Sequence, residues 1–112
     1  MLNVGNRVKI YGGYFEEPKW LKHDEHVVGE VVGFILDQDK QDLLVIKLEE
    51  EFVVGHDKGS YLVLGLRYEN MRWDDKGIVS VELCDFIPED KPWELRKHGK
   101  GVETAATYEK TS

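Results

Sequence analysis

Val27-Val28-Gly29-Glu30-Val31-Val32-Gly33-Phe34-Ile35-Leu36 is the stretch on which the fold turns. Its apolar residues fall on both parities, as they do in a strand covered on two sides. Two glycines interrupt it, and a bulge or strong bend is expected there, of the kind a small barrel needs to close. This is the central strand of the reading. Asp37-Gln38-Asp39-Lys40-Gln41-Asp42 follows as a polar turn. Residues 43–50 then set Leu44, Ile46 and Leu48 against Val45, Lys47 and Glu49, the pattern of a hairpin partner with one wet face.

The same logic extends in both directions. In residues 4–11, Val4, Val8 and Ile10 share one parity and Arg7 and Lys9 the other, so a half-buried strand is expected up to Gly12-Gly13. Gly55-His56-Asp57-Lys58-Gly59 reads as a turn. Leu62, Leu64, Leu66 and Tyr68 form the buried face of a strand over 60–69. Trp73-Asp74-Asp75-Lys76-Gly77 turns the chain, and Val79, Val81 and Leu83 line a strand over 77–86. Residues 14–26, with Pro18 and no sustained period, read as a long loop with one helical turn over 17–22. After Pro88, residues 90–99 have an early proline, a basic last turn and a closing glycine, the marks of a short helix docked by Trp93. Residues 102–108 are expected to add an edge strand. The expected fold is mainly β: one small antiparallel barrel of five to six strands over residues 1–108, with a short C-terminal helical turn and a frayed tail at 109–112. Strands at such short intervals leave no room for the helical crossovers of a parallel sheet.

Composition narrows the functional classes. Twenty-two acidic against fifteen basic residues leave a net charge of −7, and eight of the acids fall between residues 27 and 59. That charge repels a phosphate backbone and forgoes the counterion release that drives nucleic-acid binding, so DNA and RNA are not expected partners. A neutral or cationic partner meets no such barrier. No apolar run is long enough to span a membrane, and residues 1–10 lack the unbroken apolar stretch of a secretion signal. With Cys84 as the single cysteine, no internal disulfide forms, and a cytoplasmic protein is expected.

Gly5-x-Arg7-Val8-x-Ile10, followed by Gly29-Glu30-Val31-Val32, resembles the opening of many SH3-like small barrels over about residues 4–86. The resemblance implies a fold and no activity. Leu66-Arg67-Tyr68, Val81-Glu82-Leu83-Cys84-Asp85-Phe86 and Trp93-Glu94-Leu95-Arg96 are similar to stretches of small uncharacterised single-domain proteins encoded on mobile integron gene cassettes. That likeness brings no ligand and no catalytic residue with it.

Catalytic chemistry finds little footing. His23-Asp24-Glu25-His26 is the only local cluster of metal-ligand types, with His56 and His98 elsewhere. Two imidazoles on a loop lack the scaffold that helical spacing supplies, so no metal and no cofactor are expected, and an enzyme built on His23 and His26 is the least favoured reading. Cys84 has no neighbouring base to lower its pKa and reads as a buried thiol. The carboxylate pairs Glu16-Glu17 and Asp74-Asp75 and the triplet Glu49-Glu50-Glu51 read as exposed acids rather than general acids held in a cleft. Aromatic residues are the stronger lead. Tyr11, Tyr14, Phe15 and Trp20 lie in or beside the long loop, and Tyr68 and Trp73 lie near the next-to-last turn. Together they are expected to form a shallow groove with an acidic rim, suited to a protein segment or a small neutral or cationic ligand. The same rings would otherwise cap the open ends of the barrel. Self-association into a homo-oligomer is the alternative function, through an apolar edge at Phe52-Val53-Val54 or at residues 102–108.

Overall fold

Each of the five alternating stretches forms a strand, and a sixth strand completes the structure. The computed structural model describes residues 2–12, 26–36, 42–54, 57–66, 72–84 and 105–111. The strands are β1 (Arg7–Gly12), β2 (His26–Leu36), β3 (Asp42–Val54), β4 (Asp57–Leu66), β5 (Lys76–Cys84) and β6 (Ala105–Lys110). They follow one another around a closed barrel, every neighbouring pair antiparallel, and β6 returns to β1 through pairs such as Ile10 with Tyr108. No helix occurs among the described residues, and none is long and apolar enough to cross a membrane. The helical turns expected over 17–22 and 90–99 lie outside the described residues.

Two expectations are corrected by this closure. Residues 105–110 are not an edge strand: β6 pairs with β5 on one side and β1 on the other. Val4 is 62% exposed and does not share the buried face with Val8 and Ile10, because β1 begins only at Arg7. The segment before β1 is instead a strap across one end of the barrel. Leu2 donates its N–H to the Trp73 carbonyl at 2.9 Å, Gly5 to that of Val31 at 2.8 Å, and Val31 back to Asn6 at 2.9 Å. Gly5 sits at φ 96°, a backbone angle that a side chain would strain. Leu2, the plug of this strap, is buried in the core.

The interior is built from the inward parity of each strand. Val8 and Ile10 meet Val31, Leu44, Ile46, Leu62, Leu64, Val79, Val81 and Leu83, and no polar or charged residue is buried with them. The outer wall departs from expectation between β3 and β5. Val45 was expected on a wet face, yet Leu43, Val45, Val63 and Cys84 form a second buried cluster there, backed by Val32, Ile35 and Tyr61. Cys84 is thus a buried thiol, as its neighbourhood in the sequence implies.

The bend expected in the central strand is present. Pairing of β2 with β3 shifts between Val31 and Gly33, leaving Val32 as the extra residue of a bulge. Gly29 serves close approach instead: a Cβ there would stand 2.4 Å from Ile46 Cγ2 and 2.7 Å from the Lys47 carbonyl oxygen.

Tyr108 is the largest fully buried side chain of the barrel. Its ring lies 5.6 Å from that of Trp73, and its hydroxyl donates to the Asp74 carbonyl at 2.9 Å. Burial, then the charges of Asp74 and Asp75, push its phenol up to about 12. An unfolded tyrosine titrates near pH ~10. The neutral phenol therefore supports the fold fully below that pH, and its contribution is lost as pH rises towards about 12. Tyr108→Phe is expected to cost about 1 kcal/mol at neutral pH for the lost hydrogen bond and to flatten the alkaline decline. Urea midpoints measured from pH 7 to 12 check both.

Candidate functional site

The wall of the barrel opens where β2 and β3 part. Their pairing ends at Gly29 with Leu48, while β3 continues to Val54. On the other side of β3 the register with β4 breaks: β3 advances from Lys47 to Phe52 while β4 moves only from Tyr61 to Gly59. Glu49, Glu50 and Glu51 are the residues left over. Among the described residues they pair in neither ladder, and they bulge out of the wall.

Beside this bulge lies a cleft of about 370 Å³, lined by His26, Val27, Val28, Leu48, Glu49, Glu50, Glu51 and Phe52. Val27 and Phe52 pack against the core and give it apolar walls, and the three glutamates are exposed along one side. Glu49 forms an ion pair with Arg7 of β1, which ties the base of the bulge to the far side of β2. Glu50 and Glu51 are exposed, have no ion pair among the described residues and place negative charge at the cleft. The arrangement can hold a positively charged or neutral group against an apolar wall. Among the described lining residues no nucleophile stands beside a base.

Tyr11 and Trp73, both expected at an aromatic groove, are not brought together. Tyr11 faces outward on β1, half-buried, with its ring 5.7 Å from that of His26 and its hydroxyl 3.5 Å from Glu109 Oε2, to which it donates. It therefore stands next to a lining residue of the cleft. Trp73 is 7% exposed and packs inside the barrel on Tyr108. Its indole N–H is buried without an acceptor among the described residues. The β1–β2 and β4–β5 connections also leave from opposite ends of an antiparallel meander. Tyr14, Phe15, Trp20 and Tyr68 lie outside the described residues. So do His23, Asp24, Glu25, His56 and His98. Among the described residues no three metal-ligating side chains gather.

The glutamate triplet reads from the sequence only as exposed acids, which they are, although a signal for the break in pairing was there as well. Leu44, Ile46 and Leu48 alternate inward, and the next position of that parity is Glu50. A glutamate on the buried parity of a strand marks the point where the ladder must break.

The class defined by these features is a closed six-stranded antiparallel barrel with an acidic cleft in its wall. Comparison of the chain with protein-family models, with curated proteins and with solved structures gave no match.

Proposed function

We propose that the chain is a non-catalytic binding module whose ligand surface is the cleft between β2 and β3, and that it takes a cationic or neutral ligand. The observation that carries this reading is the bulge of Glu49, Glu50 and Glu51 beside a cleft walled by Val27, Val28 and Phe52. Bulges interrupt pairing where a strand must present side chains rather than build the sheet. The connection that bears Tyr14, Phe15 and Trp20 ends at His26, itself in the lining.

The expected outcome is that guanidinium and alkylammonium compounds raise the melting temperature and anionic analogues do not. In the double variant Glu50→Gln/Glu51→Gln, cation affinity should fall roughly three- to tenfold, the scale of two exposed charge pairs. Raising the salt concentration should weaken binding to the native chain in the same direction. Cation affinity unchanged in the double variant would remove the cleft as the site.

Self-association is the second reading, favoured by one observation: Val53, at the far end of β3, is 62% exposed. Of the other edge expected for it, residues 102–108, the described part from Ala105 is in β6, which pairs with both β5 and β1. Light scattering after size exclusion distinguishes the two, with a monomer expected for the binding module and a dimer stable to dilution for the alternative.

A further inference from the structure

We propose that the occupant of the cleft is an extended, basic segment of another protein chain, bound as an added strand along Glu49, Glu50 and Glu51. The inference rests on the reading of the cleft as the ligand surface. It starts from the backbone. Residues 49–51 belong to a continuous strand, yet they stand outside the ladders to β2 and β4 among the described residues. A strand segment that stands outside its neighbours' ladders is where an incoming peptide strand can pair. A barrel normally removes such segments by pairing every strand on both sides, and among the described residues the ladders on both sides of β3 lapse at residues 49–51, beside the cleft.

Shape and charge choose the occupant. Side chains of an added strand alternate between its faces. Each set would pass one acid, because Glu50 and Glu51 are adjacent and stand on opposite parities, beside the apolar wall of Val27, Val28 and Phe52. Because Arg7 already neutralises Glu49, the attraction comes from the two remaining carboxylates, and it selects lysine or arginine. The net charge of −7 adds long-range attraction of the same sign. A small organic cation would satisfy the carboxylates but make no use of the strand segment that stands outside both ladders.

The test titrates the full chain with four probes: a seven-residue peptide alternating lysine and valine, the same peptide N-methylated at alternate amides, its glutamate counterpart, and butylguanidinium. The lysine peptide should bind and slow amide exchange at residues 49–51 at least tenfold. Its affinity should fall about three- to tenfold in Glu50→Gln/Glu51→Gln. The N-methylated and glutamate peptides should bind at least tenfold more weakly. Equal binding of the N-methylated peptide, equal binding of the glutamate peptide, or binding without slower exchange at 49–51 would each overturn the inference. If butylguanidinium binds and the lysine peptide does not, the added strand is refuted while the cleft remains a ligand site. If neither binds, both readings fall.

Discussion

Tyr108→Ala is expected to destabilise the protein by about 3–5 kcal/mol, the range for removing a fully buried aromatic side chain. Contacts with Gly77, Trp73 and Asp74 go at once. The phenol ring fills the barrel between β1 and β5, facing Ile10 on one side and Gly77 on the other in register. A Cβ on Gly77 would stand 3.0 Å from the Tyr108 ring, so the glycine leaves the space that the ring occupies. The ring also backs Trp73, and its hydroxyl holds the Asp74 carbonyl. Tyr108→Phe keeps the ring and loses only the last of these, which makes it the control. Urea unfolding should place the two variants at least about 2 kcal/mol apart. Similar losses in both would mean that the hydroxyl, and not the ring, is what β6 contributes.

Gly59→Ala is expected to cost about 3 kcal/mol, the upper end for overpacking. A Cβ at Gly59 would stand 2.3 Å from the carbonyl oxygen of Cys84 and 2.8 Å from its carbon. These are backbone atoms of β5, and they cannot yield without disturbing the ladder between β4 and β5. Gly65→Ala is the comparison within the same strand. There the added atom meets Ser80 Oγ at 2.9 Å and Leu43 Cδ2 at 3.4 Å, both on side chains that can turn away. Gly65→Ala should therefore cost no more than about 1 kcal/mol. Equal denaturant midpoints for the two variants would show that β4 and β5 approach less closely at Gly59 than the structure has them.

The interior was legible because it follows local rules. Val8, Ile10, Leu44, Ile46, Leu62, Leu64, Val79, Val81 and Leu83 all stand on the inward parity that alternation assigns them. The bulge in β2 was legible for the same reason, since glycines within a two-sided apolar strand mark a break in pairing. Val45 was misplaced because alternation supposes that one face of the hairpin meets water, and here its outer face also carries a buried cluster. Trp73 was placed at a groove because it sits in a turn beside two aspartates. Its neighbours inside the barrel, Leu2 and Tyr108, are far from it in the chain, and no local pattern reports them.

By itself, the sequence determined that the strands are antiparallel, where their apolar faces lie and which strand bends, because each depends on a period of two and on turn residues within a few positions. It also determined the sign of the net charge. Only the tertiary structure decided that β6 meets both β5 and β1, that Leu2 and Trp73 fill the core, and that Glu49, Glu50 and Glu51 fall out of register beside a cleft. Those outcomes depend on how many residues each of two strands spends between shared pairs. That count is settled by the whole barrel closing on itself, which no short stretch of the chain encodes.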